Sequence, residues 1–262
     1  MIKNKKRLNV KNLVCILLIF VFLGLIVFSS IKIAVYVKSA AANREIMNEI
    51  DDFVNIPDVI PESDPDNPEE QYNIEIDFDK LKEMNKDVVG WIKINNTRIN
   101  YPVVKGKDNE FYLKHNLKKN WNEAGWIFAD YENKFDGTDK NIVIYGHSMK
   151  NKTMFGDLSD VLKHDWYSNP DNLNITLVYN NMKYTFKIFS VYKIEAEDYY
   201  INTHINDFAD FVNNIKNRSQ IDYKTSIKDA EQILTLSTCY DNNNLRLAVH
   251  AVKVSEEKMD EE

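Results

Sequence analysis

The stretch Thr235-Leu236-Ser237-Thr238-Cys239 is an apolar, threonine-rich run that ends on a thiol, and Leu245-Arg246-Leu247-Ala248-Val249 follows it closely. Both runs have the composition of β-strands, and the polar residues 240–244 between them are typical of a connection. If these strands pair in antiparallel fashion, Cys239 and Arg246 come to the same end of a sheet. The sequence therefore predicts a strand pair that presents a cysteine and an arginine together.

A histidine stands just past the end of an earlier predicted strand. Residues 141–145 form an apolar run, and Gly146, His147 and Ser148 follow it directly. In acyl transfer a thiolate attacks a carbonyl carbon, a histidine handles the proton of the leaving amine, and a fixed donor stabilises the oxyanion. Taken singly, a histidine after a strand is more often a capping residue, and an arginine at a strand edge is usually solvated. Their joint occurrence with Cys239 indicates a catalytic site.

The sequence pattern over the remainder of residues 89–254 predicts short strands with few helices. Strand-type runs occupy residues 89–94, 99–104, 126–129, 141–145, 175–179, 183–194, 232–238 and 245–254. Helical patterns occupy residues 109–115, 154–162 and 207–218, and the last carries an apolar stripe at helical spacing. Eight short strands with so few helices predict a mostly β protein with a closed barrel rather than a doubly wound sheet.

The N-terminus predicts a membrane anchor. Residues 1–12 carry five positive charges and no acid, and residues 13–31 are nineteen residues without a charge. As a helix this run is roughly 28 Å long, close to the hydrocarbon thickness of a bilayer. Basic residues before the span place the N-terminus in the cytoplasm. A cleaved signal peptide is the alternative, since Ser39-Ala40-Ala41-Ala42 supplies small residues, but Lys32 and Lys38 intervene and favour an uncleaved anchor.

The chain divides into five predicted segments. A basic cytoplasmic segment (1–12) and a transmembrane anchor (13–37) precede an extracytoplasmic helix and proline-acidic spacer (38–76). The spacer is inferred because four of the six prolines fall within residues 57–68 among acidic residues and asparagines. A catalytic domain (77–254), which starts near the capped helix beginning at Asp77, and an acidic tail (255–262) complete the chain.

Charge and cysteine content narrow the function further. The chain carries −7 in total, so with +5 in residues 1–12 the remainder carries −12, which argues against nucleic-acid binding through phosphates. There are two cysteines, Cys15 in the predicted span and Cys239 outside it, so a disulfide between them is not plausible. An unpaired thiol outside the membrane is either reactive or a buried, inert side chain, and the cysteine count does not decide between these.

Several motifs resemble those of the sortase family. That family has a strand of the type TLxTC, an arginine on the next strand and a histidine after an earlier one. This chain has TLSTC at 235–239, Arg246, and YGHS at 145–148, and the resemblance covers residues 77–254. Residues 154–158 and 108–113 are similar to the segment after the sortase histidine and to an early helix of class B members. The resemblance implies an eight-stranded β-barrel that cleaves a sorting signal through a thioacyl enzyme and passes the acyl group to a cell-wall amine.

Class B is favoured because the stretch 193–232, with its helix, resembles the insertion before the cysteine strand in that class, and because helices precede the first strand. The resemblance implies Cys239 as nucleophile, His147 as general acid/base and Arg246 as stabiliser of substrate or oxyanion. The candidate groove residues are Ser237, Thr238, Asn109 and Leu113, with Tyr199, Tyr200 and Ile201 as a groove wall or as ordinary packing. No metal site or cofactor is predicted.

The implied partners are surface proteins with a C-terminal sorting signal, NPxTN-like by class analogy, and a peptidoglycan precursor or other cell-wall amine. The implied location is the outer face of a Gram-positive cell membrane. An L,D-transpeptidase is an alternative, but that family places histidine and cysteine in one short SHGC-type segment, whereas Cys239 lies 92 positions after His147 here. A papain-like hydrolase would place its cysteine before its histidine. A membrane-tethered binding domain with a degenerate site remains open.

Overall fold

A computed structural model describes residues 10–60, 74–195, 197–240 and 245–259. The chain begins with a long helix, α1 (Val10–Ile50), and a small antiparallel sheet of β1 (Val54–Asn55) and β2 (Glu75–Ile76). The predicted helix start at Asp77 is present, because the Asp77 side chain accepts a hydrogen bond from the Lys80 amide and caps α2 (Phe78–Met84). Most of the predicted proline-acidic spacer, residues 61–73, lies outside the described residues.

The main sheet closes into an eight-stranded barrel, which confirms the predicted fold class. Its strands follow the order β10-β8-β7-β3-β4-β5-β6-β9. They are β3 (Val88–Ile94), β4 (Asn100–Lys105), β5 (Phe128–Ala129), β6 (Asn141–Tyr145), β7 (Asn174–Tyr179), β8 (Met182–Glu195), β9 (Ile233–Tyr240) and β10 (Leu245–Lys258). Two neighbouring pairs, β4 with β5 and β6 with β9, are parallel, and the other pairs are antiparallel. Closure gives every strand of the barrel a neighbour on both sides.

Short helices cover the barrel. These are α3 (His164–Tyr167) and α4 (Phe208–Asn217), and 3-10 turns at Phe111–Leu113, Gly156–Leu162 and Pro170–Leu173. The helix predicted at 207–218 is α4, with Asp207 as its N-cap, and it buries Phe211, Val212 and Ile215 against the barrel. The helices predicted at 109–115 and 154–162 are shorter and of 3-10 type.

The second half of α1 packs on the barrel domain. Ser39, Asn43, Ile46 and Ile50 are buried, and their spacing of three and four residues places them on one helix face. Residues 11–34 of the same helix are exposed, including the whole apolar run 13–31. The packed unit therefore includes residues well before Asp77, where the sequence places the start of the domain.

The end of the chain also differs from expectation. β10 continues to Lys258, and residues 255–258 pair with residues 182–185 of β8. The acidic tail predicted from residue 255 is therefore strand over its first four residues, because their backbone pairing with β8 continues the ladder that residues 245–254 begin. Residues 260–262 lie outside the described residues.

Candidate active site

Strand β9 is the centre of the candidate site, because it lies between the strands that carry the other two predicted residues. It pairs with β6 in parallel, with Ser237 opposite Tyr145. It pairs with β10 in antiparallel fashion, with Cys239 opposite Arg246. Directly opposed positions in an antiparallel pair share one face of the sheet. The register thus brings the predicted cysteine and arginine positions together, as the sequence suggests.

His147 follows β6 by two residues and is anchored at the same end of the barrel. The Gly146 amide donates a hydrogen bond of 3.3 Å to the Ser237 carbonyl, which ties the start of the histidine loop to the cysteine strand. A side chain at Gly146 would collide with Ile127 and Phe155, because a Cβ there would lie 2.5 and 2.9 Å from them. Glycine thus lets the chain pass close to the core before the histidine.

The His147 ring is half-buried and held by a backbone carbonyl. Its Nε2 lies 2.8 Å from the Leu113 carbonyl oxygen. Since a carbonyl oxygen only accepts, Nε2 carries the proton and donates it. In the neutral ring Nδ1 is then the nitrogen with the basic lone pair. Leu113, predicted as a groove residue, therefore contributes its backbone to the site.

Ser237 and Thr238, the two residues before Cys239, are both buried. The Ser237 hydroxyl lies 3.0 Å from the Tyr200 hydroxyl, so the predicted groove residues Ser237 and Tyr200 do meet. Within the part of the chain that the structure describes, the Thr238 hydroxyl has no hydrogen-bond partner. Tyr200 is only 2% exposed, so it fastens the insertion before β9 to the strand rather than forming an open groove wall.

The neighbouring residues of the insertion turn toward α4. Tyr199 is partly exposed, and its ring packs against Phe211 and under the guanidinium of Arg218, 4.7 Å from the ring centroid. Ile201 is half-buried against the apolar cluster that includes Val212. Both contacts are ordinary packing, which is the alternative role expected for these residues from the sequence.

Asn109 lies in a polar cluster beside the end of β6. Its amide donates to Asp130 Oδ2 at 2.7 Å, and its carbonyl oxygen accepts from the Tyr131 amide. The same Asp130 oxygen accepts a 2.7 Å hydrogen bond from the Tyr145 hydroxyl. Burial, and then the Asp130 charge, raise the pKa of Tyr145 far above its ordinary value, so it stays a neutral donor. Sequence reasoning missed Asp130 and Tyr145, although Tyr145 directly precedes the Gly-His pair.

The described residues contain no group of three or more His, Cys, Asp or Glu placed to hold a metal ion. Arg246 is half-buried at the start of β10, directly opposite Cys239, and its guanidinium donates to the Leu245 carbonyl at 3.5 Å. A cation beside a cysteine lowers the pKa of a thiol and stabilises an oxyanion that forms there. The strand register thus brings the Cys239 and Arg246 positions together, beside the loop that carries His147.

Comparisons with known proteins agree with this geometry. Residues 92–254 match a family model described as a sortase domain. Sortase B of Listeria monocytogenes is 33% identical over 225 residues, which are 85% of this chain and 88% of that protein. A crystal structure of sortase B from Bacillus anthracis is 31% identical with a TM-score of 0.67, and the match covers 83% of this chain and 99% of that one. A Staphylococcus aureus sortase B–substrate complex is 34% identical with a TM-score of 0.62, covering 68% and 84% of the respective chains.

Proposed function

This chain belongs to the sortase family, class B, whose members are cysteine transpeptidases of the cell wall, and from that premise we propose its substrate, its acceptor and its catalytic residues. The substrate is a surface protein with a C-terminal sorting signal of NPxTN type. The acceptor is an amine of peptidoglycan or its precursor. The pairing of Cys239 with Arg246, beside the loop that carries His147, is the observation that carries the assignment.

In the first half-reaction the Cys239 thiolate attacks the carbonyl carbon of the scissile peptide bond. A carbon–sulfur bond forms, and the carbonyl oxygen takes up the negative charge. Arg246 stabilises that oxyanion or the substrate carbonyl next to it. As the carbon–nitrogen bond breaks, protonated His147 donates a proton to the leaving amine, which yields a thioester and a neutral imidazole.

In the second half-reaction the acceptor amine attacks the thioester carbonyl. Neutral His147 takes the proton that this amine loses, and the carbon–sulfur bond breaks to release the Cys239 thiolate. An amide forms between the threonine of the sorting signal and the acceptor. Water in place of the amine would give hydrolysis, so the ratio of the two products measures how well the acceptor is bound.

The class B likeness and one similar solved structure support the proposed sorting signal. The class B likeness favours NPxTN over LPxTG. One structural neighbour, 34% identical, is a sortase B in complex with its substrate, and it shares the barrel over 68% of this chain. A chain with this degree of similarity in sequence and fold is suited to the same class of substrate.

The proposed location is the outer face of the cell membrane, with the N-terminus in the cytoplasm. The apolar part of α1 is long enough to cross a bilayer and is exposed along its length. An apolar helix surface of that size is covered by lipid or by another protein. The five basic residues before the run orient it by the positive-inside rule.

The test uses the full chain in lipid nanodiscs with NPxTN-type and LPxTG-type peptides and a glycine-based amine acceptor. Mass spectrometry should show cleavage of the first peptide after threonine and transfer to the amine. Cys239→Ala and His147→Ala should abolish both products, whereas Cys15→Ala and the exposed His164→Ala serve as matched controls with unchanged rates. Equal cleavage of both peptides, or cleavage that survives Cys239→Ala, would contradict the proposal.

A further inference from the structure

The docked half of α1 is connected to the catalytic histidine by a short chain of hydrogen bonds. We propose that the first part of this half, residues 36–43, is a positioning element of the active site that sets the Leu113 carbonyl and thereby the His147 ring. The inference rests on the proposed role of His147 as acid and base. It assigns to an N-terminal helix, outside the matched sortase domain of residues 92–254, a part in catalysis.

The first link joins the helix to the loop of residues 122–126. The Asn43 amide donates to the Gly125 carbonyl at 3.2 Å. The side-chain amide of Asn122 donates to Asn43 Oδ1 at 2.8 Å and to the Ser39 carbonyl at 2.9 Å. Ser39, Asn43 and Asn122 are all at least 95% buried, so these bonds are shielded from water. The loop therefore takes its position from polar groups of the helix.

The second link joins this loop to the backbone on either side of Leu113. The backbone N–H of Asn122 donates to the Lys114 carbonyl at 2.8 Å, and the backbone N–H of Trp126 donates to the Tyr112 carbonyl at 3.0 Å. Between these two bonds the Leu113 carbonyl accepts from His147 Nε2. Movement of the loop would therefore move the atom that holds the imidazole.

Gly125 makes this link tight. It has a φ of +55°, and a Cβ there would lie 2.4 Å from the Tyr112 oxygen and 2.8 Å from the Leu113 oxygen. The loop backbone thus lies directly against the carbonyl that holds His147. Because the two backbone segments are packed this closely, a displacement of the loop is transmitted to the Leu113 carbonyl by direct contact as well as by hydrogen bonds.

The helix also supports the loop that follows the histidine. The Asn151 amide donates to the Tyr36 hydroxyl at 3.1 Å. In the same loop the His147 carbonyl accepts from the Phe155 amide at 3.0 Å, and Ser148 forms a bridge with Met154. Residues 36–43 of the helix thus contact both the segment that holds the imidazole and the segment that carries it.

Two kinds of residue on the same face of α1 allow an effect on the position of His147 to be separated from an effect on the stability of the fold. Ile46 and Ile50 are buried in the main apolar core. Asn43 is instead joined to the loop at 122–126. A purely structural role for α1 predicts that activity follows stability in every variant. A positioning role predicts that Asn43 matters for turnover out of proportion to its effect on stability.

The experiment compares Asn43→Ala, Ile46→Ala and Glu49→Ala in the full chain in nanodiscs, with the NPxTN-type peptide. Glu49 forms an exposed ion pair with Lys118 and contacts neither loop residue 122 nor 125 in the described hydrogen bonds, so it is the matched surface control. We expect Asn43→Ala to lower kcat by roughly 10- to 100-fold with KM within about twofold, since small misplacements of a catalytic group have such effects. Ile46→Ala should lower Tm more than Asn43→Ala does and change kcat less. A loss of kcat that follows the order of Tm values overturns the inference.

A second readout needs no substrate and so keeps this inference distinct from the proposed function. Proton–nitrogen correlation spectra of the imidazole rings, assigned by comparison with His147→Ala, report the tautomer directly. His147 should carry its proton on Nε2 in the parent chain and become a mixture of tautomers in Asn43→Ala. An unchanged tautomer in Asn43→Ala refutes the positioning role, whatever the peptide assay shows. Failure of the parent chain to process any peptide, with the tautomer shift present, refutes the proposed function alone.

Discussion

Cys239 lies directly opposite Arg246 in the antiparallel pairing of β9 with β10. The polar connection between the two strands, 241–244, lies outside the described residues, and the pairing continues from this point along eight residue pairs to Val252. The relationship between the cysteine and arginine positions is therefore fixed by a long ladder of paired backbone. A cationic side chain on a strand position fixed in this way can stabilise charge with little reorganisation during the reaction.

Replacement of Arg246 measures this contribution. Arg246→Ala should lower kcat by about 10²- to 10³-fold, the usual effect of removing one oxyanion donor. Arg246→Lys should recover only part of the rate, because an ammonium keeps the charge but lacks the planar fork of donors. Steady-state kinetics with the NPxTN-type peptide is the measurement. Full activity in Arg246→Lys would show that charge alone is needed.

The Tyr200–Ser237 hydrogen bond fastens the insertion to the cysteine strand. Tyr200→Phe removes one partner of a buried hydroxyl and should lower the free energy of unfolding by about 1–3 kcal/mol. Denaturant titration gives the value, and Tyr199→Phe, a change in the exposed neighbouring ring, is the matched control. If Tyr199→Phe costs as much as Tyr200→Phe, the hydrogen bond is not the cause.

Gly125→Ala tests how closely the loop at 122–126 lies against Leu113. The positive φ alone costs a side chain of order 1–3 kcal/mol, and the close Tyr112 and Leu113 oxygens add to that cost. Gly137→Ala is the control, because Gly137 has a φ of +87° but open space around its Cβ position. We expect Gly125→Ala to lower Tm more than Gly137→Ala does and, unlike it, to reduce kcat.

His250 makes stability depend on pH. It is fully buried, with Nδ1 2.9 Å from the Thr235 hydroxyl and Nε2 2.9 Å from the Tyr192 hydroxyl. Burial, with a smaller effect of Arg218, lowers the pKa of His250 to about 3. The folded state thus favours the neutral ring, while the unfolded chain binds a proton below about pH 6.5. The stability linked to His250 is present above pH 6.5 and is lost as the pH falls from 6.5 toward 3.

Unfolding free energies measured between pH 7 and pH 4 test this expectation. His250 should contribute a slope of about 1.4 kcal/mol per pH unit below pH 6.5. His250→Gln should remove that part of the slope, although its stability at pH 7 is lower than that of the parent chain. His164→Gln, a change in an exposed histidine, should leave the slope unchanged. Identical slopes in His250→Gln and the parent chain would contradict the assignment.

The barrel could be predicted because apolar runs of strand length are separated by polar turns. The end of β10 was missed because Ser255, Glu256 and Glu257 have the composition of a solvated terminus. They are exposed or half-buried strand residues, held by backbone pairing with β8 that leaves no mark in hydropathy. The packing of α1 was missed for a related reason, since Ser39 and Asn43 are small or polar residues that become buried only because hydrogen-bond partners meet them.

Residue types reveal side-chain chemistry but not backbone chemistry. Cys239, His147 and Arg246 could be proposed as site residues because each type has a known role and each stands at a strand end. The contribution of Leu113 is a carbonyl oxygen, which every residue possesses, so sequence alone predicted only an apolar groove side chain. Similarly, Asn109 could not be assigned to Asp130 without knowledge of how the loops after β4 and β5 meet.

Because α1 is one continuous helix from Val10 to Ile50, a rigid helix rather than a flexible linker joins the apolar segment to the catalytic domain. With residues 13–31 in the bilayer, as proposed, Ser39 lies about 12 Å beyond the last apolar residue at 1.5 Å per residue. The catalytic centre is then confined to a thin layer at a set height above the lipid. A sorting signal that is close to the membrane surface comes within reach, whereas one that lies further out in the wall does not. Selection of newly exported proteins would thus follow from geometry before any peptide is recognised.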